Sequence, residues 1–113
     1  MTPHGKPRTL EHDTQSAILE WLEKKHIYHF RMNVGAFLGE YKGKKRFVKF
    51  GPKGAPDIIA VIKGQIIGIE VKAQDGFQSQ AQKEFEVEFV RAGGIYLLCF
   101  SLDDVISGLK AGT

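Results

Sequence analysis

Two apolar stretches carry charge where strands seldom carry it. Asp57 opens the run Asp57 to Ile62, and Glu70 and Lys72 close the run Gln65 to Lys72. Side chains alternate along a strand, so Glu70 and Lys72 share one face while Ile67, Ile69 and Val71 take the other. If Lys63-Gly64 is a two-residue hairpin loop, Ile62 faces Gln65, and Asp57 falls opposite Glu70 with Cβ atoms about 5 Å apart. Two carboxylates that close repel each other unless a proton or cation intervenes. Their oxygens suit Mg²⁺ or Mn²⁺. Such an ion, with Lys72 beside it, could orient a water and stabilise charge on a phosphodiester. The simpler alternative is a solvated cross-strand set in which Lys72 only pairs with Glu70. The register is the weak link: Lys-Gly is not the preferred Asn-Gly turn, and a one-residue slip would send the acids to opposite faces.

A third acid comes from the first helix, expected from about Glu11 to Lys25 with Thr9 or Asp13 as its cap. Glu11, Gln15, Ile18 and Leu22 follow i, i+4, i+7, i+11 spacing and lie on one face. Glu20 is about 180° away from Glu11 at 100° per residue, so it points to solvent if Glu11 points inward. An acid in a first helical turn is also favourable in itself. The remaining elements follow from pattern and punctuation. His26 to Asn33 alternates as a strand, with His26 and His29 as ordinary strand residues. Gly35 to Phe50 reads as a β-hairpin turning near Lys42-Gly43-Lys44-Lys45. Ser79 and Gln82 form an S-x-x-Q capping box for a helix ending at Gly93-Gly94. Ile95 to Phe100 is a buried strand, and Ser101 caps a last helix with Val105, Ile106 and Leu109. This is a mixed α/β domain with helices around one central sheet. Residues 1–9 read as a loose arm and residues 10–113 as a single domain.

The chain of 113 residues has a net charge of +3, unevenly spread. Residues 1–50 hold ten Lys/Arg against five Asp/Glu; residues 51–113 hold six against eight. A polyanionic partner met by the first half would explain this. Lys42, Lys44, Lys45, Arg46, Lys49 and Lys53 crowd one short stretch with Phe47 and Phe50 and are the candidate DNA contacts. Lysines guarding a hairpin edge are the alternative. The single cysteine, Cys99, excludes an internal disulfide and reads as a buried thiol in a reducing compartment. No apolar run is long enough for a membrane span, and the N-terminus lacks the apolar region of a secretory signal. The four histidines show no zinc pattern. The absence of a glycine-rich phosphate loop argues against ATP use.

Taken in order, Glu11 with Gln15, Gly54-Ala55-Pro56-Asp57-Ile58-Ile59, Gly68-Ile69-Glu70-Val71-Lys72, and Ser79 with Gln82 resemble the PD-(D/E)XK nuclease superfamily. More closely they resemble stand-alone VRR-NUC domains of phages and bacteria, from about Glu11 to Ile106. The resemblance implies a restriction-endonuclease-like mixed β-sheet flanked by helices, an αβββαβ core, with a basic β-hairpin. It implies Glu11, Asp57, Glu70 and the Val71 carbonyl as ligands of Mg²⁺ or Mn²⁺. Lys72 would be the catalytic lysine, and Gln15 and Gln82 would line the site. The implied activity is a metal-dependent DNA endonuclease, structure-selective on branched DNA such as Holliday junctions, acting as a homodimer in the cytoplasm of a bacterial or phage-infected cell. The alternatives are a nucleic-acid-binding module without chemistry and a flap or nicking nuclease working with a helicase partner.

Overall fold

The structure is a computed structural model and describes residues 6–32, 36–41, 44–49 and 52–112. Its elements run α1 (Lys6–Lys24), β1 (Tyr28–Arg31), β2 (Ala36–Tyr41), β3 (Lys44–Lys49), β4 (Ile58–Ile62), β5 (Gln65–Val71), α2 (Gln80–Arg91), β6 (Ile95–Cys99) and α3 (Leu102–Gly112). Four strands form a mixed sheet in the order β1-β4-β5-β6. Its β1–β4 and β4–β5 pairs are antiparallel and β5–β6 is parallel. The parallel pair requires a crossover, which α2 supplies. The α1-β1-β4-β5-α2-β6 core is the expected mixed α/β architecture. Separately, β2 and β3 pair in register from Ala36↔Lys49 to Tyr41↔Lys44.

The helix boundaries correct two expectations. α1 begins at Lys6, so residues 6–9 are helical rather than part of a loose arm, and Thr9 and Asp13 lie inside the helix instead of capping it. At its other end His26 adopts a left-handed conformation, φ 57°. The His26 N–H bonds to the Glu23 carbonyl and the Ile27 N–H to that of Leu22, both at 3.0 Å. This is a Schellman closure with histidine where glycine is usual. His26 is therefore the stop of α1 and not a strand residue. By contrast, α2 starts with the expected capping box: Ser79 Oγ accepts from the Gln82 N–H at 3.2 Å, and Gln82 Oε1 from the Ser79 N–H at 2.8 Å.

One face of the sheet holds the core. Ile58, Ala60, Ile67, Ile69, Val71 and Cys99 are buried with Ile18 and Leu22 of α1 and Val105 and Leu109 of α3. This is what period 2 in the strands and period 3.6 in the helices require when the elements meet on one side. Burial raises the Cys99 thiol to about 12, so it is an inert core group. The opposite face bears Asp57, Gly68, Glu70, Lys72 and Tyr96 and is covered by α2. A Cβ on Gly68 would lie 2.9 Å from Pro56 Cγ and 3.4 Å from the Phe89 ring. Glycine there lets the Pro56 loop and α2 approach the middle of β5. Among the described residues no helix is long and apolar enough to cross a membrane.

Candidate active site

The turn between β4 and β5 sets the site. Lys63 and Gly64 both have positive φ, 49° and 83°, the signature of a type I′ hairpin, whose twist matches that of the flanking strands. Lysine adopts this conformation at a cost of about 1–2 kcal/mol. The register is Ile62↔Gln65 through Ile58↔Ile69, and its continuation brings Asp57 opposite Glu70. Asp57 stands one residue before β4, just beyond the ladder. Its Oδ2 accepts a 2.8 Å hydrogen bond from the Val71 N–H. The carboxylate thus satisfies a backbone group of the neighbouring strand and is fixed by it.

Glu70 is 3% exposed, the one charged residue among the buried side chains described. Its Oε2 accepts from Gln82 Nε2 at 3.0 Å and lies 3.5 Å from Lys72 Nζ. Its Oε1 is buried without a hydrogen-bond partner. Burial, reinforced by the Asp57 charge and opposed by Lys72, raises Glu70 to about 7. Asp57 is also raised, chiefly by burial; the Val71 N–H opposes this, the Glu11 charge adds to it, and Lys72 and Arg31 pull it back. Neither lysine nor amide reaches Glu70 Oε1, so the pair is short of positive charge.

The sequence-derived candidates occupy three kinds of place. Asp57, Glu70, Val71, Lys72 and Gln82 come together. Glu11 and Gln15 are half-buried on the α1 face that carries Ile18 and Leu22, while Glu20 is exposed. The Glu11 charge is felt at both Asp57 and Glu70. Gln15 makes no hydrogen bond to Asp57, Glu70 or Lys72. Lys53 is exposed in the loop before Asp57. Lys42 and the side chains of Lys44, Lys45, Arg46 and Lys49 lie outside the described residues. Among the described residues no three acids, histidines or cysteines converge as a ready-made metal cage.

Two neighbours of the site escaped sequence reasoning. Arg31 ends β1, where the Met32 N–H bonds to the Asp57 carbonyl at 2.8 Å, and its charge acts on Asp57. Tyr96 pairs with Gly68 across the parallel ladder, which turns it onto the site face. Burial pushes its hydroxyl up to about 12, with Gln78 opposing and Glu70, Glu86 and Asp57 adding. The Tyr96 position was hidden because Ile95 to Phe100 is apolar throughout and does not reveal its faces.

The residues present fit a divalent cation. Two carboxylates, one with an orphaned buried oxygen, supply the donors; Mg²⁺ is commonly held by one or two protein carboxylates, with water and substrate phosphate completing its shell. The site therefore defines a class: a mixed-sheet α/β domain with a lysine-flanked pair of acids at the open end of its central hairpin. A solved structure described as a VRR_NUC domain has the same fold, with a TM-score of 0.62 and 19% sequence identity. The similarity covers 89% of this chain and 95% of that one. The chain thus has the VRR-NUC fold. No family model matches the sequence, and neither does any curated protein.

Proposed function

We propose that the chain is a divalent-metal-dependent endodeoxyribonuclease of PD-(D/E)XK type. The observation that carries this reading is the buried Glu70 carboxylate facing Asp57, with Oε1 left without a partner while Lys72 and Gln82 hold Oε2. A structural set would satisfy both oxygens. Asp57, Glu70 and the Val71 carbonyl would hold Mg²⁺ or Mn²⁺, with Glu11 drawn in from α1. Bound there, the ion would supply Lewis-acid charge to a phosphodiester.

The chain's own groups divide the remaining work. The Val71 N–H orients Asp57, and Gln82, aimed by the first turn of α2, orients Glu70. Lys72 presents its ammonium where negative charge grows on the phosphate in the transition state. The basic segment from Lys42 to Lys53 would track the backbone of the nucleic acid. The finer reading is a homodimer acting on branched DNA: one chain supplies one site, and paired cuts across a four-way junction need two sites related by a two-fold axis.

Plasmid nicking tests the chemistry. It should appear with Mg²⁺ or Mn²⁺ and vanish with EDTA. Asp57→Ala and Lys72→Ala should lower it by about 100-fold or more, with circular dichroism unchanged. DNA binding without metal-dependent cleavage would leave a binding module instead. Light scattering at twice the chain mass, with paired nicking of a cruciform plasmid, tests the homodimer; a monomer that only nicks would refute the junction reading alone.

A further inference from the structure

We infer that Phe77 is a stacking platform for an unpaired nucleobase at the lip of the acidic site; this rests on the nucleic-acid part of the function proposed above. At 81% exposure it is the most exposed large apolar side chain among the described residues. It lies in the connection from β5 to α2, five residues after Lys72. Two other exposed rings meet each other: Tyr28 and Phe30 lie edge to face with centroids 6.2 Å apart. Phe77 is presented instead by fixed backbone on both sides.

The preceding turn folds back on the site. The Gly76 N–H bonds to the Ala73 carbonyl at 2.8 Å. A Cβ on Gly76 would sit 3.4 Å from Lys72 Cβ, so the turn rests against the stem of the lysine. On the other side, Gln78 Nε2 donates to Glu86 Oε1 at 2.9 Å, and Ser79 is locked into the capping box. The ring between these two anchors is held out in solvent, and the turn that precedes it touches Lys72. It is not a loose loop tip.

The composition of the loop selects the ligand. Residues 73–78 contain no lysine or arginine and one acid, Asp75, so phosphate is not what they attract. An aromatic face accepts any base regardless of sequence, because every base has a π-face. Bases within a flush duplex are already stacked on each other. A ring beside the cleavage site therefore finds its partner at a gap, flap or junction, where a base is free. Lys72 would hold a phosphate while Phe77 takes a base of a neighbouring nucleotide.

The experiment is binding without cleavage, in EDTA, to three oligonucleotide forms: a flush duplex, the same duplex with a single-stranded flap, and a four-way junction. The last two carry 2-aminopurine at unpaired positions, in the flap and in unpaired nucleotides built into the branch point of the junction. Phe77→Ala should weaken the forms with unpaired bases by roughly tenfold, several times more than the flush duplex, and abolish 2-aminopurine quenching. Phe77→Trp should restore both, which separates stacking from a folding defect. Equal affinities for wild type and Phe77→Ala, equal loss on all three forms, or an effect on self-association alone would overturn the inference. Quenching that depends on Phe77 in a protein that never cleaves would leave the inference standing and remove the nuclease. Cleavage with no Phe77-dependent quenching would do the reverse.

Discussion

Replacing Glu70 by glutamine should change how stability depends on pH. The folded protein holds Glu70 at about 7, against an ordinary 4.5. A folded pKa above the unfolded one means that the native state binds the proton more tightly. The associated stability is fully present below about pH 4.5 and is lost as pH rises through about 7. The full difference is about 3 kcal/mol at 1.36 kcal/mol per pKa unit, and most of it falls between pH 5 and pH 8. Glu70→Gln keeps an acceptor for Gln82 but has no proton to lose. Urea unfolding followed by the fluorescence of Trp21, the single tryptophan, would measure both proteins across that range. Wild type should lose roughly 2–3 kcal/mol relative to Glu70→Gln on going from pH 5 to pH 8. Magnesium should reverse this, since a ligand carboxylate must be deprotonated. At tenfold excess over Kd it should stabilise wild type at pH 8 by about 1.4 kcal/mol and leave Glu70→Gln nearly unmoved. Parallel pH profiles for the two proteins would refute the buried, charge-deficient pair.

Three further perturbations address the surroundings. Glu11→Gln should lower metal-dependent cleavage by about tenfold or more, whereas the exposed Glu20→Gln should stay close to wild type in the same assay; exchanged behaviour would mean that α1 presents the wrong face. Alanine at Lys44, Lys45 and Arg46 together should flatten the log–log salt dependence of duplex binding by up to about 2.7, at 0.9 per phosphate contact, and an unchanged slope would take the hairpin out of the interface. Gly54→Ala should cost about 1–3 kcal/mol, visible as a lower Tm by differential scanning calorimetry. Gly54 has φ 79°, and a Cβ there would run into the Ala81 carbonyl of α2. A wild-type Tm would show that the Pro56 loop can move off α2.

Local pattern was enough for the strands, the capping box and the opposition of Asp57 to Glu70. Alternation has a period of 2, and a two-residue turn leaves one register, so the sequence determined which side chains share a face. The same logic identified Ile18 and Leu22 as the buried stripe of α1. It failed at the start of α1 and at His26, where a residue without glycine's conformational freedom closes the helix because Ile27 can then turn into the core. Tertiary structure alone decided how the acids are felt. The raised pKa of Glu70 needs α2 packed over Gly68 to remove water, and that packing needs Pro56 and Phe89 to meet above a glycine in the middle of β5. The influence of Glu11 and Arg31 on Asp57 and the turning of Tyr96 toward the acids join segments far apart in the chain. Burial and Coulomb energy depend on distances through space, and hydropathy and spacing along the chain carry no record of those.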